Sequence, residues 1–305
     1  MLEENNIHTI LTACDSRGVL YTYNNTTHTL SRYIRDSYDY IVSTTKYIGD
    51  SFYGEMLTVG DRLHLLASNH ILTVNSESLG EPHTLSVFDG LKTMSATDGD
   101  LWLMDISNST LYRWNKDKLE KSFIMDDVVN SIKSSGTHIV VTGEHITSID
   151  VTTKELNKMS PQLSDNFAVS HVTDDSMLLV DIGSDKARLV NMRSGDISNI
   201  NIPTGMDVLT FNSIVNGETL YLTLQHKDPL ETGNVVGVYN SMFDFWQLKN
   251  KIPSPGHGDD FGTGMYVVDD ILIITSPVVR VSTAYTRCIN IYDLNTLELK
   301  KIIDI

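Results

Sequence analysis

Residues 94–125 read MSATDGDLWLMDISNSTLYRWNKDKLEKSFIM, and this stretch decides the fold. Four short runs, each apolar or alternating, are separated by polar breaks at 98–99, 107–109 and 116–118. The breaks are typical of turns, because Gly tolerates positive φ and short polar side chains bond their own backbone. Four strands in about thirty residues predict an antiparallel meander, which needs neighbours of the same kind to bury its faces.

The same organisation recurs along the chain. Helical periodicity of 3.6 residues is absent, so the repeat is built of strands. The unit therefore predicts an all-β fold of about seven four-stranded blades in a single domain over residues 1–305, since all-β rings of this size often form one domain. The turns that precede the second strands are spaced roughly forty residues apart, and their markers are Gly60, Gly99, Gly136, Asp175, Gly217 and Asp270.

This repeat resembles the β-propeller superfold over nearly the whole chain. The Gly-His and Trp-Asp pairs of WD40 repeats are absent, and so is the double glycine of kelch repeats. The resemblance implies a ring of blades around a central tunnel. It implies no particular activity, because propellers carry many unrelated functions.

The first blade is predicted to be incomplete. VLYTYNNTTHTLSRYI at 19–34 matches TLYRWNKDKLEKSFI at 110–124, which predicts its third and fourth strands. Residues 7–13 then form the second strand, and the first is missing. Residues 35–55 break the pattern and are predicted to be an insertion between blades one and two. Six full blades plus a closing hairpin is the alternative, and the way the ring closes stays open.

The longest breaks fall at 35–55, 226–234, 250–264 and 276–287. In a propeller, links between second and third strands lie on the same face as links between blades. Blades six, seven and one are neighbours in a closed ring, so these loops are expected to share one sector. Aromatic and Arg residues are enriched at interface hot spots. The predicted partner-binding residues are Tyr38, Tyr40, Tyr47, Phe52, Tyr53, Phe261, Arg280, Tyr285 and Arg287.

Composition narrows the classes of partner. The formal net charge of −16 disfavours nucleic-acid binding through a broad basic face. No apolar run approaches the roughly 18 residues of a membrane span. The chain opens on the polar MLEENN, so synthesis in the cytoplasm without a secretory leader is expected. Cys14 and Cys288 are expected to be reduced thiols.

No local motif for catalysis stands out, so the protein is predicted not to be an enzyme. GHGDD at 256–260 has metal-binding residue types without further ligands nearby, so neither a metal nor a cofactor is expected. Trp102, Trp114 and Trp246 are predicted to pack in the core or between blades. Catalytic groups drawn from several blades would leave no motif, which keeps a tunnel-mouth hydrolase or lyase as an alternative.

The favoured function is therefore a non-catalytic structural or protein–protein interaction module within a larger assembly. The polar β sequence, rich in Asn and Thr, suggests a bacteriophage virion component at a tail or head-neck position. The first alternative is a glycan-binding propeller for host attachment through the same loops.

Overall fold

The structure is a computed structural model, and it describes residues 10–52, 55–88, 92–97, 99–115, 118–126, 128–143, 145–159, 167–181, 185–228, 230–231, 233–242, 245–255, 261–281 and 284–305. These residues form 28 β-strands, β1 to β28. None of them forms a helix that could cross a membrane.

The strands fall into consecutive groups of four. The first three groups are β1 Ile10–Cys14, β2 Leu20–Asn24, β3 Thr29–Asp36 and β4 Asp39–Tyr47; then β5 Met56–Val59, β6 Arg62–Leu66, β7 His70–Asn75 and β8 His83–Ser86; then β9 Lys92–Thr97, β10 Asp100–Asp105, β11 Thr110–Asn115 and β12 Lys118–Ile124.

The other four groups are β13 Val129–Ser135, β14 His138–Gly143, β15 Ile146–Asp150 and β16 Leu156–Met159; then β17 Phe167–Val172, β18 Ser176–Asp181, β19 Lys186–Asn191 and β20 Ile197–Asn201; then β21 Met206–Asn216, β22 Thr219–His226, β23 Val235–Met242 and β24 Phe245–Pro253; then β25 Gly264–Val268, β26 Ile271–Val281, β27 Ala284–Asp293 and β28 Leu299–Asp304.

Each group of four is an antiparallel meander, and each is one blade. The predicted all-β fold with seven four-stranded blades is confirmed. Blades five and six are also joined at their outer edges, where β20 pairs in parallel with β24 through Asn199 and Phe245. The innermost strand of every blade lines one central cavity, so the seven blades surround a common tunnel.

Blade one is complete, so the prediction that it lacks a strand is wrong. Ile10–Cys14 is its innermost strand and lines the tunnel. The predicted third and fourth strands are its second and third. The match between 19–34 and 110–124 assigns these strands wrongly because of the turn at Asn24, which accepts hydrogen bonds from the backbone N–H groups of Thr26 and Thr27. Other blades use the same turn chemistry between their third and fourth strands, so a local match does not reveal which strands a turn joins.

Residues 35–55 are not an insertion. Asp39–Tyr47 is the fourth strand of blade one, and it pairs with β3 along its whole length. Past it, the blade-to-blade link is held by Asn25, whose side-chain oxygen accepts the N–H of Phe52 at 2.9 Å. An outermost strand exposes much of its surface and therefore tolerates polar residues. The polar Ser-Thr-Thr run at 43–45 for this reason resembles a loop in the sequence.

The core consists of seven apolar clusters, and each cluster lies between two neighbouring blades. Each blade therefore buries both its faces against its neighbours. The three tryptophans confirm their predicted packing role: Trp102, Trp114 and Trp246 are buried in three different clusters.

The ring closes by side-chain contact between blades one and seven. We call this contact the seam. Leu20 and Tyr33 of blade one pack there against Ile273 and Ile291 of blade seven. Around this cluster, Arg35 pairs with Asp269 at 3.1 Å. Every described blade is made of consecutive strands, so no strand exchange between the described segments closes the ring.

Candidate functional site

The two faces of the ring carry different links. We call the face with the links between first and second strands, and between third and fourth strands, the turn face. The opposite face carries the links between second and third strands and the links between blades, and we call it the loop face. This division follows from the antiparallel order within each blade.

The turn face carries the same type of closed turn in four blades. In these blades the third strand ends on Asn or Asp, whose side chain accepts the backbone N–H groups two and three residues later. The residue four positions on has positive φ and donates its N–H to the carbonyl of the first. Such short closed turns leave little backbone free for a ligand. The four turns begin at Asn75, Asp150, Asn191 and Asp293 and close at Leu79, Lys154, Gly195 and Leu297.

The loop face is irregular, and its largest feature belongs to blade seven. Strands β26 and β27 have 11 and 10 residues, whereas the matching strands of blade three have 6 each. They stay paired as far as Val281 and Ala284, so the predicted loop at 276–287 is largely a β-hairpin. The hairpin extends beyond the ends of the shorter blades.

Blade six places a loop on the loop face next to this hairpin. Its most exposed residue is Leu230, with 88% of its surface accessible. Either side of it, His226 Nδ1 contacts the Glu231 carboxylate, and Lys227 reaches Asp207 at 3.1 Å. The loop is therefore anchored by charged contacts while its apolar tip faces solvent. Sequence reasoning missed Leu230, although an isolated Leu in the polar stretch KDPLETGN was a usable signal.

Blade one adds Tyr47 at the loop-face end of β4. Tyr47 is 68% exposed, and its ring meets His28 edge to face at 6.3 Å between centroids. An exposed tyrosine supplies apolar area and a hydroxyl with little loss of conformational entropy, which suits a binding contact. Of the predicted partner-binding residues, Tyr47 is the one whose described side chain is largely free for a partner.

Tyr38 and Tyr40 belong to the seam. The Tyr38 hydroxyl donates to the Asp293 carboxylate at 2.7 Å, and Tyr40 is buried and donates to the Gly18 carbonyl at 2.9 Å. Burial raises the pKa of Tyr40. Both side chains pack between blades one and seven, so neither belongs to the candidate binding surface.

Phe52 and Phe261 are fully buried. Phe52 lies in the cluster between blades one and two, where it meets Tyr23 edge to face at 5.2 Å. Phe261 lies in the cluster between blades six and seven. Both follow outer strands in blade-to-blade links, which here pack down into the core. Neither ring can contact a partner at the surface.

Four predicted residues have side chains outside the described part of the structure. Tyr53 and the polar stretch 256–260 are not described at all. Arg280, Tyr285 and Arg287 lie on the blade-seven hairpin, where the backbones of Arg280 and Tyr285 are paired in the strand register. Their contribution to binding stays a prediction.

The tunnel contains a cavity of about 870 Å³, which is within the usual range of small-molecule sites. Glu55, Lys133 and His171, from blades two, four and five, are among the polar residues on its wall. Within the described ranges, no group of three or more His, Cys, Asp or Glu residues could hold a metal ion. Neither Cys14 nor Cys288 forms a disulfide, and burial raises the pKa of Cys14 to about 12.

Comparison with sequences gives no relatives: no family model matches the chain, and no curated protein matches it. Solved structures do match. The dihydro-heme d1 dehydrogenase NirN, in complex with DHE, matches at a TM-score of 0.62 and 8% identity. That match covers 96% of this chain and 66% of NirN, so this chain spans just under two thirds of that protein's length.

Two further structures are similar. BBS1N, solved in complex with ARL6DN, matches at a TM-score of 0.63 and 14% identity, over 96% of this chain and 93% of that chain. The β-propeller domain of Cps50 (Swd1) from Myceliophteria thermophila matches at a TM-score of 0.53 and 12% identity, over 80% of this chain and 82% of that domain. At such low identity the matches establish the fold alone: the chain is a seven-bladed β-propeller.

Proposed function

We propose that this protein is a protein–protein interaction module that binds its partners through the loop face of blades six, seven and one. The blade-seven hairpin carries this proposal. It extends β26 and β27 far beyond the strands of the plainer blades, and its stem is anchored in the ring. Extended elements on a rigid scaffold are where binding residues usually lie.

The neighbouring contacts have the chemistry of an interface. Leu230 of blade six and Tyr47 of blade one are the two most exposed large apolar residues among the described side chains, and both lie on the loop face. A protein interface commonly centres on a few apolar or aromatic anchors surrounded by polar residues. The charged contacts His226–Glu231 and Lys227–Asp207 provide such surroundings at Leu230.

The structural neighbours support a binding role in general terms. BBS1N was solved in complex with ARL6DN, so a propeller that this chain matches over nearly its whole length is found in a protein complex. NirN is named as a dehydrogenase, so the fold also carries enzymes. Protein binding is favoured because the loop face offers anchors, whereas glycan binding is not favoured by the three buried tryptophans.

The finer form of the proposal is a bacteriophage virion component at a tail or head-neck position. Its support is the polar β sequence, rich in Asn and Thr, and nothing in the fold adds to it. Mass spectrometry of purified particles from the native source tests this placement separately. Absence of the chain from the particles would end the virion placement and leave the interaction proposal standing.

Site-specific photo-cross-linking in the native source tests the interaction proposal. A cross-linking amino acid is placed at Leu230, at Tyr47 and, as the control, at Thr152 on the turn face. We expect the first two positions to capture the same protein and Thr152 to capture none. A chain in which 277–287 is replaced by Asn-Gly is expected to keep its thermal midpoint and lose both cross-links.

Two results would overturn the proposal. One is cross-linking at Thr152 as strong as at Leu230 and Tyr47. The other is unchanged cross-linking after the hairpin has been shortened, because the hairpin is the observation on which the proposal rests.

A further inference from the structure

The tunnel wall carries a group of charged and titratable side chains that the partner-binding proposal does not use. Glu55 comes from blade two, Lys133 from blade four and His171 from blade five, and all three line the central cavity. They are distant in sequence and meet only because the innermost strands form a ring. The cavity thus has chemistry of its own, away from the loop face.

The Glu55 carboxylate already accepts hydrogen bonds from neighbouring residues. It accepts the Thr93 hydroxyl at 3.0 Å and the backbone N–H of Met94 at 2.6 Å. Burial raises its pKa, and the positive charge of Lys133 opposes that rise. Glu55 is therefore a fixed acceptor on the wall between blades two and three.

Lys133 is the cation of the described cavity wall. No direct hydrogen bond or ion pair joins its ammonium group to another described residue, although it lines the cavity and its charge acts on Glu55 and His171. An ammonium that faces a partly desolvated cavity without an acceptor gains free energy when an anion binds it. The direct contacts that it lacks can come from a ligand in the tunnel.

His171 stands beside Lys133 on the next blade. A β-bulge between Val169 and His171 shifts the register of β17 where the strand meets the cavity. Bulges commonly redirect a side chain next to a functional site. Burial first, and then the charge of Lys133, lower the pKa of His171 to about 4, so the imidazole is neutral and faces the same space.

The other residues that line the cavity indicate which kind of ligand it can hold. Hydroxyl pairs join neighbouring blades along the wall, with Ser95 and Ser134 at 2.6 Å and Ser170 and Ser213 at 2.8 Å. Apolar side chains lie between them, including Met94, Val172 and Ile214. A ligand with one negative end and a short apolar body matches this mixture.

We propose that the tunnel is a binding site for a small carboxylate with a single negative charge, held by the Lys133 ammonium and the His171 imidazole. Lys133 supplies the single ammonium among the described lining residues, whose acids include Glu55 and Asp15. A second negative charge on the ligand would therefore be repelled by these acids, in a protein whose net charge is already −16. This site is independent of the partner-binding face, so either proposal can fail alone.

Butyrate is the probe, and saturation-transfer NMR on the full chain is the measurement. We expect Lys133→Met to weaken butyrate binding at least about tenfold, because a charge-assisted hydrogen bond is lost and the stem is kept. Lys251→Met, at an exposed position of β24, is the matched control and should bind like the wild type. Inorganic phosphate and neutral n-butanol should both bind more weakly than butyrate.

A second measurement uses the wild-type protein alone and does not depend on a variant that folds. Bound carboxylate favours the charged imidazole, so above about pH 5, where butyrate is ionised, butyrate and not n-butanol should shift the His171 NMR signal towards that of the charged imidazole. His171→Gln identifies the signal. The proposal is overturned if the wild type does not bind butyrate, if Lys133→Met binds it equally well, or if n-butanol binds as tightly.

Discussion

The turn face and the loop face are built from the same strands, yet they follow different rules. On the turn face, four blades end their third strand with the same closed turn, capped by Asn or Asp. On the loop face, blade seven has a long hairpin, blade six exposes Leu230, and blade one presents Tyr47. One face is regular where the other varies from blade to blade.

This difference separates stability from binding. A turn whose backbone groups are bonded internally lowers the free-energy cost of joining two strands, and this gain is available in each of the four blades that carry the turn. A partner contacts only one sector, so elaboration is needed there and nowhere else. We therefore expect turn-face changes to alter unfolding and loop-face changes to alter binding.

Asn191→Ala should destabilise the protein by about 1–2 kcal/mol, because the N–H groups of Arg193 and Ser194 lose their acceptor. Urea unfolding measures the loss. Asn191→Asp is the control and should be nearly neutral, since Asp150 and Asp293 fill the same role. If Tyr47→Ala on the loop face costs as much, the proposed separation of the faces is wrong.

Acid should act on the turn face through Asp293. The N–H of Thr296, and then the Tyr38 hydroxyl, lower the pKa of this carboxyl to about 2, below its value in the unfolded chain. Its stabilising contribution is therefore present above about pH 4 and is lost as pH falls towards about 2. We expect Asp293→Asn to show a smaller drop in thermal midpoint over this range than the wild type.

The reciprocal variant provides the check on that acid effect. Asn75→Asp places a carboxyl in an equivalent turn, where it would accept the N–H groups of Glu77 and Ser78. It should make the thermal midpoint more sensitive to acid over the same range. Equal acid sensitivity in wild type, Asp293→Asn and Asn75→Asp would show that these turns do not contribute.

Lys154→Gly should stabilise the protein slightly, by about 0.5 kcal/mol. Lys154 has a φ of 63°, where an L side chain is strained, and Gly195 occupies the matching position in the next blade. Relief of that strain outweighs the extra freedom of Gly in the unfolded chain by only a small margin. Thermal unfolding measures it. Thr152→Gly, where φ is not positive, should instead be destabilising.

The regular part of the fold could be predicted from sequence because it repeats. Residues 94–125 show one blade with short turns, and β9 to β12 follow that division closely. The strands of blade one are assigned wrongly from sequence because of the turn at Asn24–His28. This turn joins the second and third strands, whereas other blades use the same turn chemistry between the third and fourth strands. His28 even has the positive φ of those turns. Local sequence specifies the turn and leaves its place in the blade undetermined.

The candidate sites could be predicted only in part, because burial depends on the closed ring. The sequence predicts that Phe52 and Phe261 are exposed aromatic residues of loops, but both lie in the apolar clusters between blades. Tyr38 reads as a binding residue but donates its hydroxyl to Asp293 across the seam. Lys133 and His171 carry no local motif, and they become neighbours only through the ring.

The seam has a consequence for how the molecule forms and fails. Every blade pairs strands that are close in sequence, and such local contacts form early. The contacts of Leu20 with the isoleucines of blade seven join the two ends of the described chain, so their loop-closure entropy is the largest in the fold. We therefore expect the seam to be the last contact to form and the first to open. On that expectation, the lifetime of the closed ring depends on the opening rate of the seam more than on the summed stability of the blades.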